Sequence, residues 1–148
     1  MSVSLDGGET KPLLPEGTSM QVASKLSLDG RKIAYCTISF DEQRVSLDAR
    51  MVVAGFNGKT AEKVEKEIPI AWGEDFDFSP DGKSLIYVSA EGGSKIWEYP
   101  LETGKPRQLA ELTSGKVMGL SWSPDGKKLY IVRGVVNSDL ILIREMQK

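Results

Sequence analysis

A four-residue turn that recurs three times is the feature that most constrains this chain. Ser79-Pro80-Asp81-Gly82 returns as Ser123-Pro124-Asp125-Gly126 and, with leucine in place of proline, as Ser27-Leu28-Asp29-Gly30. Proline presets the first corner of a type I turn, and glycine accepts the left-handed backbone that follows. Such a turn closes a hairpin with a three-residue loop, and its serine can hydrogen-bond forward into the turn. We therefore assign structural turn roles to Asp29, Gly30, Asp81, Gly82, Asp125 and Gly126.

The residues on either side of each turn predict strands. Before each turn serine, every second position favours burial, which is typical of a strand with one buried face. These positions are Leu26, Phe78 and Trp122, and two residues further back Ser24, Phe76 and Leu120. After each turn a run of four mainly apolar residues predicts a strand that is covered on both faces. The runs are Ile33-Ala34-Tyr35-Cys36, Leu85-Ile86-Tyr87-Val88 and Leu129-Tyr130-Ile131-Val132.

Each repeat continues with a third strand and, in two copies, a short fourth one. The third strands are predicted at Met51-Val52-Val53-Ala54, Ile96-Trp97-Glu98-Tyr99 and Leu140-Ile141-Leu142-Ile143. Fourth strands are expected at residues 62–66 and 107–110. The Glu and Lys content of residues 60–68 would also suit a short helix, but their place in the repeat favours an outer, solvated strand.

The spacing of the repeat predicts the architecture. Asp29 and Asp81 are 52 residues apart, and Asp81 and Asp125 are 44 apart. Repeats of about 40–50 residues that are built from strands are typical of propeller blades. We expect an all-β fold of four-stranded antiparallel blades: 1–15 as the last two strands of one blade, 22–66 and 74–110 as full blades, and 117–144 as three strands of a final blade. Because propellers close with about four to eight blades, three to four blades form an incomplete ring. The chain is then a piece of a larger propeller or a half-ring completed by a second copy.

Composition excludes several kinds of function within these residues. The sequence contains no histidine, which removes Ser-His-Asp and Cys-His nucleophilic systems and any His-based zinc site. A net charge of −2 with acids and bases mixed gives no footprint for nucleic acid, and no apolar run approaches membrane-spanning length. Basic residues follow each turn aspartate and oppose a cation. We therefore expect no enzymatic activity, no cofactor, no metal and no membrane insertion in this chain, and we expect Cys36 to be a small core residue.

Candidate binding residues fall on the connections between blades and on the loops between second and third strands, because insertions on one face of a repeat array are often binding elaborations. Trp72 lies in a connection between blades. The longest loop between a second and a third strand, residues 39–48, explains the wider first spacing and carries Asp41, Glu42, Arg44 and Asp48. Its counterparts, residues 91–94 and 134–138, contribute Glu91 and Asn137, with Arg133 at the end of the preceding strand. We predict a loop-face ligand site from these eight residues.

Two motifs carry a family resemblance that covers nearly the whole chain. Phe78-Ser79-Pro80-Asp81-Gly82-Lys83 and Trp122-Ser123-Pro124-Asp125-Gly126-Lys127 resemble TolB-type (WD-like) β-propeller repeats. The C-terminal stretch from Leu129 to Ile143 is similar to the tail of propellers attached to bacterial serine/threonine kinases and winged-helix regulators. The resemblance implies a sensory or protein-interaction domain from the C-terminal part of a larger bacterial protein. It allows a periplasmic, other extracytoplasmic or cytoplasmic location.

Three hypotheses of function follow. The first is a noncatalytic propeller module that binds a protein or peptide. The second is the accessory propeller of a serine peptidase whose catalytic domain is absent from these residues, since similar repeats occur there. The third is a self-completing homodimer, in which open edge strands of two copies pair.

Overall fold

The computed structural model describes residues 10–14, 20–40, 47–69, 75–89 and 94–135, and ten strands lie within these ranges. The first sheet contains β1 (Met20–Leu26), β2 (Lys32–Phe40), β3 (Leu47–Phe56) and β4 (Ala61–Pro69). Its strands follow the order of the chain and every pair is antiparallel. Across the described ranges no helix could span a membrane.

The second sheet repeats this arrangement and the third begins it again. The second contains β5 (Phe76–Phe78), β6 (Ser84–Val88), β7 (Lys95–Pro100) and β8 (Arg107–Glu111), also in chain order and antiparallel. The third contains the antiparallel pair β9 (Lys116–Trp122) and β10 (Leu129–Gly134). The predicted all-β fold of four-stranded antiparallel units in an open, incomplete ring is confirmed. Residues 61–69 form a strand, so the helical alternative for this segment is wrong.

The first two sheets pack face to face through the largest buried cluster. The first sheet contributes Ala34, Cys36, Met51, Val53 and Ile68, and the second contributes Phe76, Phe78 and Leu85. Cys36 is buried here as predicted, and burial raises the pKa of its thiol to about 11, which keeps it protonated at neutral pH. A smaller cluster joins the second sheet to the third through Ile86, Val88, Ile96 and Leu120, with Val117, Trp122 and Leu129 packed against it. The first strands of successive sheets therefore lie side by side.

Asp75 adds a polar connection between the second and third sheets. Its Oδ2 accepts a hydrogen bond from the backbone N–H of Leu120 at 2.6 Å, and its backbone carbonyl accepts one from Val88 at 3.1 Å. One residue thus fixes the start of β5 against both β6 and β9. The bond from Leu120 to the Asp75 carboxylate is charge-assisted, and hydrogen bonds of this kind are about twice as strong as neutral ones.

The outward faces of the first and third sheets differ. On the first sheet, Ile33, Tyr35, Val52 and Ala54 are buried, with Leu14, Phe56 and Ala61 packed against them. On the third sheet, Tyr130 and Val132 of β10 are 56% and 63% exposed. The prediction that all three second strands are covered on both faces is therefore wrong for β10. Among the described residues no further sheet packs on that side, where the repeat pattern expects another blade.

Two local predictions need correction, for the long loop and for Leu26. The long loop is shorter than residues 39–48, because β2 and β3 pair as far as Phe40 and Leu47. Most of the predicted preceding blade, residues 1–9 and 15, lies outside the described residues, and it stays a prediction. Its described part, residues 10–14, contains a bridge residue, Lys11, and the carbonyl of Leu13 accepts a hydrogen bond from Ala61 of β4. Leu26, predicted to be buried, is 48% exposed, and among the described residues no preceding sheet packs against it as sheets do against Phe78 and Trp122.

Candidate functional site

The three repeated turns have the same hydrogen bonds. In each copy the serine hydroxyl donates to the aspartate Oδ1 two residues on, at 2.6–2.7 Å, and accepts the backbone N–H five residues on, at 2.9 Å. The aspartate Oδ1 also accepts the next-but-one backbone N–H, at 3.0–3.1 Å. The glycines have φ of +66° to +68°. The predicted forward bond from serine and the left-handed glycine are thus both confirmed.

The length of the loop differs from the prediction. The backbone N–H of Ser27 donates to the carbonyl of Lys32, and equivalent bonds join Ser79 to Ser84 and Ser123 to Lys128. Four residues therefore lie between each closing pair, one more than expected. The reason is that the serine carbonyl already accepts the N–H of the turn glycine. The N–H of the residue five positions after the serine therefore donates to the serine hydroxyl instead of the serine carbonyl.

Removing one turn hydroxyl is expected to lower stability measurably. In Ser79→Ala, the carboxylate of Asp81 loses a donor and the N–H of Ser84, a buried residue, loses its acceptor. A buried group left without its partner costs about 1–3 kcal/mol, and we expect the free energy of unfolding in urea to fall by that amount. Ser121→Ala is the control, since Ser121 is exposed and the change should cost less than about 0.5 kcal/mol. Equal losses in both variants would contradict the role of the hydroxyl.

The same bonds predict a dependence of stability on pH. Hydrogen bonds from the turn serines, and next from the backbone, hold the pKa values of Asp29, Asp81 and Asp125 below their ordinary value of 3.8. Because unfolding restores the ordinary pKa, their contribution is complete above pH 3.8 and is lost as pH falls through the folded values. We expect the melting temperature to fall less steeply in Asp81→Asn than in the wild type between pH 5 and pH 2.5. Parallel profiles would show that the turn carboxylate contributes nothing.

The turns meet at a groove of about 200 Å³. We call it the inter-turn groove; it is lined by Leu26, Leu28, Asp77, Phe78, Ser79, Pro80, Ser121, Trp122, Ser123, Pro124 and Gly126. Leu28, Pro80 and Pro124 occupy the same position of the three turns, and Leu26, Phe78 and Trp122 the position before each turn serine. Leu28 is 79% exposed, so the groove presents apolar surface to solvent. The second and third turns are in close contact at the groove: a Cβ placed on Gly126 would lie 2.7 Å from the Cβ of Pro80.

Asp77 is the charged member of the groove. It is half-buried in β5 between the buried Phe76 and Phe78, and its Oδ1 accepts the backbone N–H of Phe78 at 2.9 Å. Burial raises the pKa of its carboxyl, and the nearby charge of Lys25 offsets only part of that rise. Trp122 lines the groove beside it, and its buried Nε1 lacks an acceptor among the described residues.

The predicted loop-face residues are not brought together in the part of the chain that the structure describes. Six of them, Asp41, Glu42, Arg44, Trp72, Glu91 and Asn137, lie outside the described residues. Asp48 lies in β3, paired with Ser39 of β2, and Arg133 lies in β10 of a different sheet. The Arg133 guanidinium donates to the hydroxyl of Ser114 at 3.5 Å. The loop-face site stays a prediction.

Sequence reasoning missed the inter-turn groove, although the repeat contains a signal for it. Aligning the turns places Lys25, Asp77 and Ser121 at one position, two residues before the turn serine. In β5 the carboxylate of Asp77 lies between two buried phenylalanines, and this pattern indicates a polar group next to apolar surface. Elsewhere in the described residues, no cluster of three or more acidic, Cys or His residues could hold a metal ion.

The fold is similar to solved β-propeller domains. The chain is 20% identical to the β-propeller domain of the Trilobed protease from Pyrococcus furiosus, with a TM-score of 0.54, covering 78% of this chain and 34% of that one. It is 17% identical to Pyrococcus horikoshii acylaminoacyl peptidase (TM-score 0.58; 88% and 20% covered). A chain of a nidogen/laminin complex gives 20% identity and a TM-score of 0.61, with 88% and 47% covered. No protein-family model and no curated protein matches the sequence.

These likenesses define the class of the chain. It is a β-propeller module that spans less than half the length of each of those three solved chains. At such identities the similarity applies to the fold, and functions have to be argued from sites on it.

Proposed function

We propose that this chain is a noncatalytic propeller module that binds a protein or peptide partner through the inter-turn groove. The observation that carries the proposal is the exposed apolar lining contributed by all three repeats. Leu28 and Leu26 have large exposed fractions, and Pro80, Pro124 and Trp122 continue the same surface. Contiguous exposed apolar surface that is rimmed by polar groups is typical of interaction sites. The sensory role implied by the TolB-type and kinase-propeller resemblance belongs to the same proposal.

Selection of peptides tests this function. The purified chain is immobilised and used to select from a phage-displayed library of random twelve-residue peptides, and enriched peptides are synthesised and titrated by calorimetry. We expect binding that Leu28→Asp abolishes and Leu109→Asp leaves intact, because Leu109 is 43% exposed on the outer strand β8 and does not line the groove. Failure to enrich any peptide, or equal binding by both variants, would contradict the proposal. Hydrolysis of a fluorogenic peptide by the purified chain would contradict its noncatalytic character.

A second candidate is the accessory propeller of a peptidase. It is supported by the similarity to the propeller domain of the Trilobed protease and to acylaminoacyl peptidase. The gene sequence beyond codon 148 is the test. An α/β-hydrolase segment in the same reading frame would favour this candidate, and a stop codon would argue against it.

A further inference from the structure

We propose that the inter-turn groove selects a peptide segment with a basic side chain, whose cationic end meets the Asp77 carboxylate while apolar neighbours contact the groove walls. The inference rests on the proposed function and names the class of its partner.

The charge of the groove is the first argument. Among its eleven described lining residues, Asp77 is the one with an acidic or basic side chain. Lys25 acts on it through its charge, but within the described residues the two form no ion pair. The one charge among the described lining residues is therefore the Asp77 carboxylate, which Lys25 compensates only in part, and it attracts a cation.

Burial of the carboxylate is the second argument. Its charged form is disfavoured by its surroundings, as the raised pKa of Asp77 indicates. One oxygen accepts the N–H of Phe78, and the other has no partner among the described residues. A guanidinium or ammonium group would supply donors to that oxygen and favour the charged form.

The walls give the third argument. Trp122 lines the groove with Asp77, and an aromatic ring attracts a cation in addition to the carboxylate. Leu26, Leu28 and Pro80 extend the apolar wall on which the aliphatic stem of Arg or Lys can pack.

The size of the groove limits the occupant. About 200 Å³ is smaller than the roughly 300–1,000 Å³ of pockets that enclose a drug-sized ligand. It accommodates one or two side chains, which suits a short peptide segment that lies across the turns.

Calorimetric titration with a designed peptide tests the inference. The probe is acetyl-Leu-Pro-Arg-Pro-Leu-amide, and its control has citrulline, a neutral isostere, in place of arginine. The proteins are the wild-type chain, Asp77→Asn, and Glu102→Gln, which removes an exposed carboxylate outside the groove. We expect the wild type and Glu102→Gln to bind the arginine peptide alike. Asp77→Asn and the citrulline peptide should each weaken binding about 10- to 100-fold, the effect of a hydrogen bond to a charged group.

The outcomes separate this inference from the function on which it rests. If arginine and citrulline peptides bind the wild type equally, or if Asp77→Asn binds like the wild type, selection of a basic residue is overturned while the interaction function stands. If library-selected peptides bind the groove but lack basic residues, the inference is likewise overturned. If no peptide from either source binds, the proposed function fails as well.

Discussion

Replacing Phe76 with alanine is expected to destabilise the chain by about 3–5 kcal/mol, the usual cost of removing a buried phenylalanine. Phe76 is completely buried in β5, in the cluster that joins the first sheet to the second. The loss is a large part of the roughly 5–15 kcal/mol that stabilises a typical domain. In urea at 25 °C we expect the midpoint to fall sharply while the slope of the transition is retained.

Tyr130→Ala is the matched control for this variant. It also removes a large aromatic side chain from a strand, but Tyr130 is 56% exposed in β10, so a loss within about 1 kcal/mol is expected. A small loss in Phe76→Ala would contradict the packing of the first two sheets. A loss in Tyr130→Ala as large as that in Phe76→Ala would mean that the outward face of the third sheet is covered in solution.

Gly126→Ala is expected to cost about 2–5 kcal/mol. The residue has φ of +68°, which an L side chain adopts at a cost of about 1–2 kcal/mol. In addition, its new Cβ would lie 2.7 Å from the Cβ of Pro80, and relieving such overpacking costs about 1–3 kcal/mol. Thermal unfolding of the variant and the wild type at one protein concentration measures the loss.

Gly30→Ala separates the two causes. Gly30 has the same φ of +68°, but an added Cβ would meet nothing within 4 Å, so only the backbone cost of about 1–2 kcal/mol is expected. The difference between the variants therefore measures the contact of the third turn with the second, both of which line the inter-turn groove. Equal losses would mean that the two turns are not in contact in solution.

Much of the fold follows from local sequence because its signals act over a few residues. The turn serine, aspartate and glycine satisfy one another within six positions, so the repeat predicts each hairpin directly. The alternation of Phe76 and Phe78 likewise predicts the buried face of β5. The strand at residues 61–69 shows the limit of local composition, since its Glu and Lys residues suit a helix and the pairing with β3 decides the outcome.

The candidate site depends on how the sheets are placed, and a single sequence contains little information about that. Leu28 is 49 residues from Asp77 and 94 from Trp122, yet all three line one groove. The bond from Leu120 to the Asp75 carboxylate spans 45 residues and has no local signature. The exposure of Leu26 and Val132 depends in the same way on which sheets lie beside them, rather than on their own residue types.

The three equivalent turns also allow the opening free energies of the three sheets to be compared within one molecule. The backbone N–H groups of Lys32, Ser84 and Lys128 each donate to a serine hydroxyl at the same N···O distance of 2.9 Å, so the three hydrogen bonds are matched. After division by the intrinsic exchange rate of each amide, a difference between their exchange rates reflects the opening free energy of the sheet in which each lies. One exchange experiment on the unmodified chain would thus rank its three sheets by local stability and show whether they open together or one by one.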